Sequence, residues 1–263
     1  MIGGIIGDIV GSVYEDGNMK SKDFPLWSPK CEFTDDTVLS VATADWILNG
    51  GRCEDFYYSY TAQFPTCGYG TGFMKWYFNR KYHGKYIPYN SYGNGSAMRV
   101  GPIGWAYNSI EEVLRVSRDS ALCTHNHKEG IKGAQAIACC IFLARNKESK
   151  ENIITFIEKS FGYNVSQSVR EMSKNYKWNA TCQETVPHAI LCFLEGINFE
   201  DCIRNAVSLG GDSDTIACMT GAISEAFYGI PKSIADKACE YLPSEFINVI
   251  NIFEKKFGNN IVI

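Results

Sequence analysis

No Cys-x-x-Cys pair occurs among the 11 cysteines of this 263-residue sequence. Their number is odd, and Cys139, Cys140, Cys192 and Cys218 fall within apolar helical stretches, where a thiol behaves as a small hydrophobe. The pattern speaks against a disulfide framework and for a reducing compartment. Neither sign of charge is in excess: 25 basic and 29 acidic side chains are interspersed, for a formal net charge of −4. That is no electrostatic footprint for a polyphosphate backbone, so generic nucleic-acid binding is disfavoured. The N-terminal apolar run lacks a charged leader and carries Asp8 and several glycines, so it reads as neither a signal peptide nor a membrane span. A soluble, cytoplasmic, monomeric protein without membrane contact is the expectation. No Gly-x-Ser-x-Gly elbow appears and no cysteine has a recognisable histidine partner, which removes support for nucleophilic Ser or Cys chemistry.

What is present is helical. A chain of this length with 45% hydrophobic residues can bury about three quarters of its unfolded surface as one body, so a single domain spanning 1–263 is expected. Ile2, Ile5, Ile6, Ile9, Val10 and Val13 recur at three- and four-residue steps, one apolar stripe on a helix. Gly3, Gly7 and Gly11 form a smooth ridge on the same helix, and Asp8, Ser12 and Glu15 line a neighbouring one. Three glycines weaken a solitary helix, so this one should be buried. Ser109 with Glu112, Asn126 with Glu129, Thr181 with Glu184 and Asn198 with Asp201 read as N-caps followed by an acid. Gly50 and Gly210 suit helix stops. From about Phe64 to Tyr107 the pattern breaks into an irregular segment of Gly, Tyr, Asn and Pro that looks like a binding surface. With no run of alternating strands and no repeat of fixed period, an all-α, irregular bundle is the natural reading.

Two runs share an unusual chemistry: Thr34-Asp35-Asp36-Thr37 and Asp212-Ser213-Asp214-Thr215, each just before an apolar helical stretch. Capping and dipole complementarity explain one acid at a helix start, but each run supplies two, and Glu15 adds a fifth. Carboxylate and hydroxyl oxygens without paired His or Cys are hard ligands, suited to Mg²⁺, Mn²⁺ or Ca²⁺ and not to zinc. If the two helix starts converge, the aspartates repel one another unless divalent charge compensates them, which predicts a binuclear magnesium-type site. Ser91-Tyr92-Gly93-Asn94-Gly95 reads either as a tight turn or as a nest whose N–H groups meet an anion, with Tyr92 placed to stack on a base or ribose. His125 and His127 lack further ligands at zinc spacing, so His125 is expected to contact substrate or to be structural, and His83 and His188 to be structural or exposed.

Together the segments Gly3 to Glu15 (GGIIGDIVGSVYE), Phe33 to Thr37 (FTDDT), Ser91 to Val100 (SYGNGSAMRV), Leu122 to His125 (LCTH) and Gly210 to Gly229 (GGDSDTIACMTGAISEAFYG) resemble the ADP-ribosylglycohydrolase family, in family order and over nearly the whole chain. The flap and loop sequences resemble its serine-directed branch more than its arginine-directed one. The resemblance implies an all-α fold with two Mg²⁺ (or Mn²⁺) ions in a cleft, and an enzyme that releases ADP-ribose from an ADP-ribosylated protein side chain. It implies Glu15, Thr34, Asp35, Asp36, Asp212, Asp214 and Thr215 as metal ligands, with Glu15 on a mobile flap and Glu15, Asp35 and Asp36 as candidate catalytic carboxylates. It further implies that Ser91, Tyr92, Gly93, Asn94, Gly95, Met98 and His125 contact ADP-ribose. Hydrolysis of an O-acyl-ADP-ribose or of ADP-ribosylated nucleic acid, cleavage of the diphosphate, and non-catalytic ADP-ribose binding are the alternatives.

Overall fold

The computed structural model describes residues 1–258, and among these it is built from helices, with one isolated β-bridge between Gly93 and Thr181 and no strand. The centre is a helix pair. Helix α1 (Ile2–Gly11) is buried along its whole length. A Cβ added at Gly3 would lie 2.5 Å from the Gly221 carbonyl oxygen, at Gly7 2.0 Å from that of Ala217, and at Gly11 2.5 Å from the Asp214 Cα. The glycine ridge is therefore a main-chain contact surface against Ser213–Tyr228. As numbers rise along α1 they fall along its partner, so the two helices are antiparallel and the end of α1 meets the start of the other.

Around this pair the chain adds, in order, α2 (Asp35–Asn49), α3 (Cys53–Gln63), α4 (Thr71–His83), α5 (Gly95–Met98), α6 (Gly101–Ala106), α7 (Ile110–Leu122), α8 (Lys128–Arg145), α9 (Lys150–Phe161), α10 (Val169–Ser173), α11 (Cys182–Glu195), α12 (Phe199–Leu209), α13 (Ser213–Tyr228), α14 (Lys232–Cys239) and α15 (Ser244–Phe257). Residues Ser213–Ala226 of α13 are all buried, beneath α1, α8, α11 and α12. None of these helices is long and apolar enough to cross a membrane.

Several local expectations change. The stripe Ile2–Val13 outruns its helix: α1 ends at Gly11, whose backbone abuts Asp214, and Glu15 stands in the turns that follow. The segment from Phe64 to Tyr107 is not irregular throughout, because α4 occupies Thr71–His83. Its buried face, Phe73, Trp76 and Tyr77, keeps helical spacing with aromatic in place of aliphatic side chains. Ser109 and Asn198 cap as expected, accepting from the Glu112 and Asp201 amides. Asn126 does not: its side-chain oxygen accepts from the Asn90 amide at 2.8 Å, and His127 caps α8 instead. Thr181 stands at the start of α11 without a side-chain cap bond. Gly50 and Gly210 do end helices at positive φ, +73° and +71°.

Candidate active site

The antiparallel pairing of α1 with α13 delivers acids from both chain ends to one place. Asp8, in the middle of α1, accepts from the Thr34 amide at 2.9 Å, the Thr34 hydroxyl at 2.7 Å and the Thr37 amide at 3.0 Å, with the Thr37 hydroxyl as a fourth donor. These bonds fasten the start of α2 to α1. Thr34 caps α2, and Asp35 and Asp36 occupy its first turn, where the helix dipole favours negative charge. On the other side, Gly210 and Gly211 both have φ +71°, which lets the chain reverse from α12 into α13 and place Asp212 and Asp214 at its start.

The carboxylates form two triads, Asp8 with Asp36 and Asp214, and Glu15 with Asp212 and Asp214, each with ligand atoms within 4.8 Å of one another. Asp214 belongs to both. Asp35 lines the same cleft without joining either triad. The neighbouring donors are neutral: Thr215 Oγ1 donates to Asp36 Oδ2 at 3.0 Å, Asn94 Nδ2 to Asp212 Oδ2 at 2.6 Å, and the Thr215 amide to Asp214 Oδ1 at 2.8 Å. Among the described residues no basic side chain forms an ion pair with any of these acids. Burial first, and neighbouring carboxylates second, hold Asp35, Asp36 and Asp214 well above the usual carboxylate range. Burial pushes Asp8 up to about 6 against the pull of Thr37 and Thr34, and Asp212 up to about 6 against the pull of Asn94.

This cluster fits a hard divalent cation. Asp36 Oδ1 is buried and has no hydrogen-bond partner, a costly vacancy for a carboxylate oxygen unless an ion meets it. All the donor atoms are oxygens, and Thr34 and Thr215 keep hydroxyl lone pairs after donating to carboxylates, so they too can ligate.

Glu15, Asp35, Asp212 and Asp214 line one end of a cleft of about 670 Å³, within the range of small-molecule sites, while Asp8 and Asp36 are fully buried. Its other end is formed by Ser91, Gly93, Asn94, Gly95, Met98 and His125. Gly93 and Gly95 do not have positive φ. Their contribution is room: a Cβ on Gly95 would lie 3.2 Å from His125 Nε2, and one on Gly93 3.2 Å from Ser91 Oγ. The Gly93 and Asn94 amides are taken up internally, by Ser91 Oγ at 3.1 Å and the Ala180 carbonyl at 2.8 Å, so they do not form an open nest. Tyr92 is not among the lining residues; half-exposed, its ring stands 5.3 Å from that of His127. His125 is buried, and burial first and Arg99 second hold its imidazole well below the ordinary value. His188 packs against Tyr176, where burial lowers it to about 4.

One member of the carboxylate cluster and one residue of the cleft mouth had no place in the sequence-derived set. Asp8 carried a signal, an acid in a helix otherwise of Ile, Val and Gly. Trp178 carried none: it lies in the loop before α11, is 61% exposed, and donates its indole N–H to Glu15 Oε1 at 3.0 Å across the cleft mouth.

Comparison with known proteins fits this geometry. A profile of the ADP-ribosylglycohydrolase family matches residues 1–255. ADP-ribosylhydrolase ARH3 of Homo sapiens is 29% identical, covering 91% of this chain and 88% of its own, and that of Mus musculus is 28% identical over 91% and 86%. ADP-ribosylarginine hydrolase Tri1 of Pseudomonas putida is 22% identical over 88% and 70%. A solved structure titled ADP-ribosylglycohydrolase-related protein complex superposes with a TM-score of 0.69 at 22% identity, covering 97% of this chain and 92% of that one, and so shares the fold. With its acid-floored cleft, its helical fold and a family match over nearly its full length, the chain belongs to the ADP-ribosylglycohydrolase family of hydrolases.

Proposed function

We propose that the protein is a Mg²⁺- or Mn²⁺-dependent ADP-ribosyl hydrolase that cleaves the glycosidic bond between ADP-ribose and a protein side chain, with serine the favoured acceptor and arginine the second. The observation that carries this reading is the pair of carboxylate triads sharing Asp214 at one end of a cleft whose other end is the His125 and Gly93–Gly95 wall. Asp8, Asp36, Asp212, Asp214 and Glu15, with Asp35, Thr34 and Thr215, are the residues to hold two ions. Bound there, divalent ions supply positive charge for vicinal ribose hydroxyls and a water of lowered pKa.

The remaining work falls to the chain. The ribose leaves its acceptor through an oxocarbenium-like state, which demands a proton for the departing group and a water aligned opposite it. Glu15, at the mouth and tethered to Trp178, is placed to manage that proton at its carboxylate. Asp35, on the cleft wall at the start of α2, and Asp36 beneath it are the candidates for orienting the water. Asn94, bonded to Asp212, joins the acidic end to the ADP-ribose wall.

The test is a release assay with Ser-, Arg- and ester-linked ADP-ribose in the presence of Mg²⁺, with intact ADP-ribose quantified by mass spectrometry. Release from the seryl conjugate, abolished by chelation, is the expected result. Recovery of AMP in place of ADP-ribose, or no release from any conjugate, would remove the reading.

A further inference from the structure

Arg99 is fully buried yet has no carboxylate in ion-pair range among the described residues. Its guanidinium lies 4.3 Å over the ring of Tyr57, and its Nε and Nη1 have no hydrogen-bond partner. Only Nη2 is engaged, donating to the Ser120 carbonyl at 2.8 Å and to Thr124 Oγ1 at 2.9 Å. A buried cation held this way is expensive to keep, so what it does to its neighbour matters.

That neighbour is a two-way relay. Thr124 is buried, and its Oγ1 stands 2.8 Å from His125 Nδ1 as well as 2.9 Å from Arg99 Nη2. A guanidinium N–H only donates, so it takes one lone pair of Oγ1, and of the two remaining side-chain neighbours His125 Nδ1 is a far better acceptor for the hydroxyl proton than the Cys123 sulfur. An imidazole whose Nδ1 accepts must carry its proton on Nε2. That nitrogen is the one facing the cleft: ideal Cβ positions on Gly95 and Gly93 fall 3.2 and 3.6 Å from it.

We propose that Arg99 and Thr124 are positioning residues that fix His125 as the neutral Nε2–H tautomer, so that it offers a hydrogen-bond donor to a diphosphate oxygen of the bound nucleotide. The ligand in this statement rests on the ADP-ribose reading above; the tautomer does not. The proximity of the guanidinium and the burial of the ring oppose a second proton on the imidazole, so the donor stays uncharged. A neutral donor of fixed direction holds an oxyanion without adding buried positive charge next to Arg99. The glycines at 93 and 95 acquire a reason: any side chain there would stand between Nε2 and the ligand.

Nitrogen NMR of the full-length, Mg²⁺-loaded protein labelled at histidine tests this, with the His125 resonances assigned by their loss in His125→Asn. The expected result is an Nε2–H neutral ring from about pH 5 to 8, the range in which an ordinary imidazole titrates. Thr124→Val should shift the ring toward the Nδ1–H form and weaken ADP-ribose binding by roughly three- to tenfold in calorimetry, the worth of one hydrogen bond. Thr124→Ser should restore both. An Nδ1–H ring or an imidazolium in the wild-type protein, or a Thr124→Val spectrum identical to it, overturns the proposal. A ring in the expected tautomer whose resonances do not move on adding ADP-ribose would leave the relay standing and count against the ligand reading.

Discussion

The two ends of the cleft are built on opposite electrostatic terms. At the acidic end, carboxylates from α1, α2, α13 and the Glu15 turn crowd together with only neutral donors around them, and Asp36 Oδ1 has no partner at all. At the His125 end the wall is held by bonds within the fold: Ser91 with Gly93, Ala180 with Asn94, Thr124 with His125. One end is incomplete without an ion and therefore poorly suited to standing alone. The other is organised in advance for a polar ligand. Stability and function should pull apart at the first and agree at the second.

The sharpest way to break that contrast is Asp214→Asn, since Asp214 belongs to both triads. Mg²⁺ affinity by calorimetry and the rate of ADP-ribose release should each fall by roughly a hundredfold or more, beyond what loss of an outer contact causes. In chelator the same variant should melt higher than wild type by roughly 2–4 °C, about 1 kcal/mol of relieved repulsion. A lower melting temperature in chelator would contradict the account of the acidic end. Next in size, Gly95→Ala crowds His125 Nε2 and should weaken ADP-ribose binding about tenfold, an overpacking cost of about 1–2 kcal/mol, with Mg²⁺ affinity unchanged. Coupled loss of metal binding in that variant would show the two ends are not separable.

Trp178→Phe keeps an aromatic ring but removes the N–H that holds Glu15. It should lower kcat about two- to tenfold with little change in ADP-ribose affinity, the value of one hydrogen bond to a charged group at an exposed mouth. An unchanged kcat would detach Trp178 from the reaction. The smallest effect lies outside both ends. Burial lowers His188 to about 4, below its unfolded value, so the unfolded chain binds the proton first. Its contribution is present above about pH 6.5 and is lost as pH falls toward 4. Denaturant melts of His188→Gln should show a shallower decline in stability across that window than wild type.

How far the sequence could be read follows from where each residue sits. Asp35, Asp36, Asp212 and Asp214 stand at helix starts, positions that advertise themselves through hydroxyls and paired acids. Asp8 is their equal in the cluster, but it lies mid-helix, and nothing local marks a mid-helix acid as facing α2 until the fold supplies Thr34 and Thr37. Helix α4 escaped because its buried face is aromatic, and aromatic, glycine-flanked stretches look like binding loops. Asn126 and His127 are both competent caps, and the choice between them was made by Asn90, thirty-six residues away. Trp178 had no signal at all, since its importance comes from a contact 163 positions distant.

The glycine ridge of α1 also sets the spacing of the carboxylate cluster. Asp8 and Asp214 ride on two rods whose spacing is set by backbone touching backbone at Gly7 and Gly11, and by the Gly221 carbonyl and the Glu225 side chain at Gly3. The gap the two acids can span is therefore gauged by the scaffold, not by the carboxylates themselves. A single methyl at Gly7, beside Asp8, would meet the Ala217 carbonyl, pry the rods apart and change the gap between the two acids.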